Sequence, residues 1–269
     1  MSEPEIIVVA DAEAASALAG DRITAALRAA FERRGRADWA TTGGSTPVGI
    51  YRHLASAGHV DDAPWPFVHV WWGDDRYVPR DHTLSNVKPL DDILLDVGGH
   101  QAGQSLGGAA TVVPLSIENL HPFRTAEAIA TGRGAAACAA RLAEELRAAD
   151  LPITGGWPTF DVVLLGIGGD GHVLSVFPGS PAFESKEWAM AIPAPTHIEP
   201  HVERVTLIPA ILGATPEVLV VTHGAGKAAI LGQIFGPEID ALRWPAQLAR
   251  RAGATWILDE AAAASLPGR

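Results

Sequence analysis

Residues Asp161 to Pro181 read D-V-V-L-L-G-I-G-G-D-G-H-V-L-S-V-F-P-G-S-P. Val162, Val163, Leu164 and Leu165 form a short unbroken apolar run, the pattern of a strand buried on both faces of a parallel sheet. Gly166, Gly168, Gly169 and Gly171 follow at once. Glycine adopts positive φ and lets a ligand approach the backbone, so this spacing describes a loop shaped for contact. Inside it sit Asp170 and His172, a carboxylate and an imidazole able to act as an acid–base pair near neutral pH. Two other readings stay open at this level. The stretch is also compatible with a tight turn carrying a hydrogen-bonded histidine. Gly166 to Gly171 also matches the dinucleotide fingerprint G-x-G-x-x-G. Against that fingerprint stand Pro178, Gly179 and Pro181, which break the helix that should open at its third glycine.

The 269 residues and 48% hydrophobic content suffice for one large α/β unit, and we expect a single domain over residues 1–269. No stretch reaches the length of a membrane span, and the opening Met-Ser-Glu-Pro-Glu lacks a basic region leading into an apolar one, so the expectation is a cytoplasmic chain. The lone Cys138 excludes an internal disulfide framework and a multi-cysteine metal site. It recurs with Leu142 and Leu146 every four residues, the spacing of a buried helix stripe. A net charge of −11 argues against nucleic acid as partner. An anionic small molecule stays compatible with it, provided that a few concentrated cations and main-chain amides hold it. Lysine is confined to Lys88, Lys186 and Lys227.

Working outward from the central stretch, strands and helices alternate. Strands are expected at Ile6 to Ala10, Trp39 to Thr42, Phe67 to Trp72, Trp188 to Ile192, Val205 to Ile208, Val218 to Thr222 and Thr255 to Leu258. Helices are expected at Ala12 to Arg34, from Pro47 through Leu54 with Ser45 or Thr46 as cap, at Ser85 to Leu95 and at Ala126 to Ala149. Two more should cover Gly226 to Ile234 and Pro245 to Arg250. This order predicts an α/β fold, a mostly parallel, doubly wound Rossmann-like sheet with helices on both faces and a ligand site at the carboxyl ends of its strands.

The loops after Thr42, Trp72, Leu165 and Thr222 would then converge on one rim. The first, Gly43, Gly44, Ser45 and Thr46, sets small residues at a helix N-terminus, where free N–H groups and the macrodipole favour an anion. It lacks the lysine of a Walker A loop. The second carries Asp74, Asp75 and Arg76; the guanidinium suits a phosphate or a developing oxyanion. The fourth brings Lys227 to a helix start, against the macrodipole. Each loop taken alone is equally compatible with an ordinary capped helix, an exposed charge cluster or a solvated lysine. No H-x-x-x-H or paired-cysteine pattern marks a metal site.

In this order the loops resemble the 6-phosphogluconolactonase family, part of the glucosamine-6-phosphate isomerase/6-phosphogluconolactonase superfamily, along nearly the whole chain. The family pattern S-G-G-S-T-P is similar to Thr42 to Pro47. Its G-D-E-R-x-V-P with a later S-N is similar to Gly73 to Pro79 with Ser85-Asn86, and its L-G-x-G-x-D-G-H-x-A-S-L-F-P-G to Leu165 to Gly179. Arg204-Val205-Thr206, Gly224 to Lys227, Pro245-Ala246, Trp256 and Asp259 complete the set. Asp75 stands where the family has Glu, and Leu174 where it has Ala. Glucosamine-6-phosphate deaminases share the D-G-H loop but continue with N-E-P, where this chain has Ser175-Val176-Phe177-Pro178.

The resemblance implies a cytoplasmic hydrolase that opens 6-phospho-D-glucono-1,5-lactone in the oxidative pentose phosphate pathway, without metal or organic cofactor. By the same resemblance His172, Asp170 and Arg76 are the candidate catalytic residues. Gly43, Gly44, Ser45, Thr46, Asp74, Gly168, Arg204 and Lys227 are the candidate substrate contacts. The alternatives are a deaminase-like sugar-phosphate isomerase, a NAD-binding dehydrogenase and a non-catalytic sugar-phosphate-binding module. A sugar-phosphate lactone is the expected partner, with no membrane and no obligatory protein partner.

Overall fold

The computed structural model describes residues 3–95 and 113–268. Seven strands among them form one sheet: β1 (Glu5–Val9), β2 (Ala37–Thr41), β3 (Val68–Trp72), β5 (Leu120–His121), β8 (Val162–Leu165), β11 (Glu217–Thr222) and β12 (Ala254–Asp259). Their spatial order is β1-β12-β11-β8-β2-β3-β5, and every pairing is parallel. All residues of β2, β8 and β12 are buried. Successive side chains point to opposite faces, so both faces of the sheet are covered, as the apolar run of β8 requires.

After β2 the chain steps to β3 and β5 on one side, then returns to lay β8 on the other side of β2 and moves on to β11 and β12. That reversal makes β2 and β8 the topological switch point, where the connections leave in opposite directions and a crevice opens at the strand ends.

The first helix follows its end signals. In α1 (Ala12–Arg34) the Asp11 side chain accepts from the Ala14 amide at 2.8 Å, and Gly35, at φ 69°, closes the last turn with its N–H on the Phe31 carbonyl. Its buried stripe, including Ala15, Ala19, Ile23, Leu27 and Ala30, lies across β12, β11, β2 and β8, with α2 (Thr46–Leu54) alongside.

Several expectations are corrected. The Ala126 to Ala149 helix is two, α4 (Thr125–Ala130) and α5 (Gly134–Ala148), because Gly132 between them and Gly134 at the start of α5 take positive φ. The helix from Ser85 shrinks to α3 (Lys88–Ile93), since the Ser85 and Asn86 side chains bind neighbouring groups instead. Lys227 precedes α7 (Ala228–Ile234) in a 3₁₀ turn, and Pro245–Ala249 is a 3₁₀ segment. The Asp74 to Arg76 loop is a strand, β4 (Asp74–Arg76). It pairs antiparallel with β10 (Arg204–Leu207), which pairs with β9 (Ala189–Ile192), so these strands form a separate small sheet. A two-stranded ribbon, β6 (Ile153–Thr154) with β7 (Trp157–Pro158), and the short α6 (Ala210–Ala214) complete the described elements.

Candidate active site

The loops after β2, β8 and β11 meet the small antiparallel sheet at the switch point and enclose a cavity of about 280 Å³. Gly43, Gly44, Ser45, Thr46, Asp74, Arg76, Gly168, His172, Arg204 and Lys227 all line it. The four loops expected to converge therefore do so. Asp170 lies just behind the lining, against His172.

The loop after β8 is built around that pair. Asp170 Oδ1 accepts from the His172 main-chain N–H at 3.1 Å and from Nδ1 at 2.6 Å. A Cβ on Gly168 would fall 2.0 Å from His172 Nδ1 and 2.7 Å from Asp170 Oδ1, so only glycine allows the two side chains to lie on this backbone. Gly171 takes φ 84°, and its carbonyl accepts from the Ala246 amide at 2.9 Å, which gives the Pro245-Ala246 pair its role. On its other oxygen, Asp170 accepts from His197 Nε2 at 2.8 Å. Burial alone would raise Asp170. The hydrogen bond and charge of His172, with the bond from His197, outweigh it and hold the carboxyl well below its ordinary value. An ionised Asp170 that accepts from Nδ1 fixes the tautomer whose Nε2 carries the lone pair.

The same cavity is lined by cationic groups and by free donors. Among the described residues, the amides of Gly43, Gly44 and Ser45 meet no protein acceptor at the start of α2. Ser45 occupies the cap position, but its side chain makes no capping bond. Arg76 gives Nη1 to the Leu84 carbonyl at 2.9 Å, while its buried Nε has no partner among the described residues. Arg204, 3% exposed, gives Nε to the Val202 carbonyl and Nη2 to that of Pro200. Its pKa is lowered, first by burial and then by the charge of Arg76. Lys227 Nζ donates to the Ile167 carbonyl at 2.6 Å, and burial lowers its pKa against the pull of Asp170. Asp259 holds the Gly224 amide with both oxygens at 3.0 Å and so fixes the loop that carries Lys227.

Two residues outside the expected set matter here. Asn86 lines the cavity with a buried Oδ1 that has no partner among the described residues, and a Cβ on Gly43 would fall 1.8 Å from that atom. The S-N pair was the available signal for it. His197 had none, because its link to Asp170 spans 27 residues. Asp74 lines the cavity with both oxygens engaged, by Ser175 Oγ at 2.6 Å and Asn86 Nδ2 at 3.2 Å. Asp75 is fully buried and clamps the amides of Asn86 and Arg76 at 2.7 and 2.8 Å; burial pushes its carboxyl up to about 7. The shorter aspartate therefore makes main-chain contacts. Leu174 sits at φ 55°, a left-handed conformation costly for a side chain with a Cβ, with Cδ2 packed against Gly73.

Residues 10–257 match the family model for glucosamine-6-phosphate isomerases/6-phosphogluconolactonase. The chain belongs to this family. A 6-phosphogluconolactonase of Nostoc sp. is 31% identical, covering 96% of this chain and 97% of its own length. One of Mycobacterium tuberculosis is 33% identical over 97% of this chain and 98% of its own. The solved structure of a 6-phosphogluconolactonase from Trypanosoma brucei superposes with a TM-score of 0.80 at 27% identity, over 99% of this chain and 100% of that one. The family fold is the α/β, mostly parallel Rossmann-like sheet described above. Among the described residues, no helix is long and apolar enough to cross a membrane.

Proposed function

We propose that this family member hydrolyses 6-phospho-D-glucono-1,5-lactone to 6-phospho-D-gluconate, the lactone-opening step of the oxidative pentose phosphate pathway. Its relatives over nearly full length carry that activity in their names. The observation that carries the assignment to residues is the Asp170–His172 pair sharing one small cavity with free amides and guanidinium groups.

In this reading the phosphate rests on the Gly43 to Thr46 amides, Arg76 and Lys227, with Arg204 behind Arg76. Holding a remote phosphate places the lactone carbonyl for attack. His172 Nε2 takes a proton from water as its oxygen bonds to the carbonyl carbon. The tetrahedral oxyanion collapses, the bond to the ring oxygen breaks, and imidazolium returns the proton to that oxygen. Asp170 keeps Nδ1 protonated and balances the transient imidazolium, and His197 steadies Asp170. Gly168 and Asp74 shape the cavity around these groups. No step calls for a metal or organic cofactor. We place the reaction in the cytoplasm, where a lone buried thiol such as Cys138 stays reduced.

The test is turnover of freshly generated lactone by the purified chain, with glucosamine 6-phosphate and NAD binding as controls. Lactone consumption above the spontaneous rate is expected, with neither ammonia release nor NAD binding. Ammonia release without lactone turnover would favour the isomerase alternative, and binding without turnover a sugar-phosphate sensor.

A further inference from the structure

At the far end of α2 from the lactone cavity lies a second group of ion-binding donors. Asp21 projects from α1, His53 from the last turn of α2, and His59 from the turns that follow. One donor atom from each lies within 4.8 Å of the other two. His53 Nε2 is 2.8 Å from Asp21 Oδ1, and the two imidazole rings pack with centroids 4.0 Å apart at 34°. His59 is already oriented, because its Nδ1 meets Asp62 Oδ2 at 3.0 Å and leaves Nε2 free. His53 is fixed too: a Cβ on Gly20 would fall 2.5 Å from its Cδ2, so glycine at that position lets the ring lie on α1.

We propose that Asp21, His53 and His59 bind a divalent transition-metal ion of the zinc class, with Asp62 orienting His59 from behind. Two imidazoles and one carboxylate are a donor set that zinc accepts, leaving its fourth position for water. A carboxylate on the remote nitrogen of a ligating histidine is the usual outer-shell partner, which fixes the tautomer and strengthens the donor. In a tetrahedral site with bonds of about 2.0–2.1 Å the donors stand roughly 3.3 Å apart. Small rotations of the exposed Asp21 and His59 side chains close the remaining gap. The ion would clip α1, α2 and the following turn together. Since α2 has nine residues, it would sit roughly 13 Å along that helix from the lactone cavity. It therefore bears on stability and leaves the reaction untouched.

The experiment uses the untagged full chain, stripped with chelator, and titrates Zn²⁺ by calorimetry and by thermal unfolding. Co²⁺ absorption reports coordination. The expected result is one ion per chain at micromolar Zn²⁺, a raised Tm, and the intense visible bands of four-coordinate Co²⁺ with nitrogen and oxygen donors. Asp21→Asn or His59→Gln should abolish the Tm rise, and Asp62→Asn should weaken binding by about tenfold. Lactone turnover by these exposed-site variants should equal wild type, which also shows that they fold. Absence of saturable Zn²⁺ binding, or binding unchanged in both Asp21→Asn and His59→Gln, overturns the proposal. Zn²⁺ inhibition of turnover that persists in His59→Gln would place the ion in the lactone cavity instead and overturn it equally.

Discussion

Arg76 and Arg204 stand directly opposite each other in the antiparallel register of β4 and β10, and among the described residues neither pairs with a carboxylate. Like charges across a strand pair are destabilising, so an anion that binds both guanidinium groups offsets their repulsion. Phosphorylated product should therefore stabilise the protein. At about one hundred times its Kd, 6-phosphogluconate should contribute ~2.7 kcal/mol, or roughly 5–10 °C in Tm for a chain of this size. Arg204→Met should lose most of that rise while its ligand-free Tm falls little. Equal ligand-induced shifts in the variant and wild type would remove Arg204 from the anion site.

His172→Ala should lower kcat by about two to four orders of magnitude, the range of a positioned acid–base group, and leave product-induced stabilisation intact. A loss of only a few-fold would reassign the base. Asp170→Asn should also cut kcat, because an amide can present its N–H to Nδ1 and favour the tautomer with no lone pair at Nε2. His197→Ala should lower kcat by roughly three- to tenfold with KM unchanged, since it acts only through Asp170 and removes one hydrogen bond of about 1 kcal/mol. A KM effect from His197→Ala would mean that it touches substrate.

Gly168→Ala separates folding from chemistry. The added methyl would overlap His172 Nδ1 at 2.0 Å, so the imidazole must leave Asp170. The global fold should persist, with a Tm within a few degrees of wild type, while kcat falls nearly as far as in His172→Ala. Gly169→Ala is the control, for a Cβ there meets nothing within 4 Å. Comparable losses in the two variants would show that the loop tolerates no substitution for reasons unrelated to the imidazole.

How much of this was legible in the sequence depended on the range of each interaction. The apolar run Val162 to Leu165, the capped α1 and the glycine loops announced themselves locally, and the rule of strand carboxyl ends was enough to bring four loops to one rim. The small antiparallel sheet was not legible, because Asp74 to Arg76 reads as a polar loop until β10 pairs with it from about 130 positions away. For the same reason Arg204 rested on resemblance alone, and the link between His197 and Asp170 left no local trace. The sequence left the reach of the shorter Asp75 open; its Oδ1 holds two main-chain amides.

The pH dependence of stability should report a histidine pair remote from catalysis. On β3 and the edge strand β5, His69 Nδ1 lies 2.9 Å from His121 Nε2, and His121 stacks on Trp71 at 3.9 Å. Burial first, then the neighbouring His69, lowers His121 to about 4, and burial also lowers His69. A folded-state pKa below the unfolded ~6.5 means that the unfolded chain binds the extra proton between these values. The contribution is thus fully present above about pH 6.5 and is lost progressively as pH falls from there towards 4. Tm should drop across that window, and His121→Phe, which keeps the stack on Trp71, should flatten the drop. An equally steep profile in His121→Phe would assign the acid sensitivity elsewhere.

Lys227 divides substrate binding from loop architecture, because its Nζ both lines the cavity and donates to the Ile167 carbonyl. If its charge serves the phosphate, Lys227→Met should raise KM more than it lowers kcat. The cost in kcat/KM for the phosphorylated lactone should then be about 1.5–3 kcal/mol, the scale of one charge-assisted hydrogen bond. The same variant assayed with unphosphorylated gluconolactone should lose far less, since that substrate has no phosphate to release. If Lys227 instead serves chiefly to hold the His172 loop through Ile167, both substrates should lose activity equally and through kcat. Lys227→Arg sharpens the choice. It keeps the charge but lengthens the side chain, so a phosphate role predicts partial rescue of KM, whereas a role at the Ile167 carbonyl at 2.6 Å predicts none. Arg76→Lys is the companion measurement: near-normal kinetics would reduce Arg76 to a point charge and leave the phosphate to Lys227 and the amides of Gly43 to Thr46.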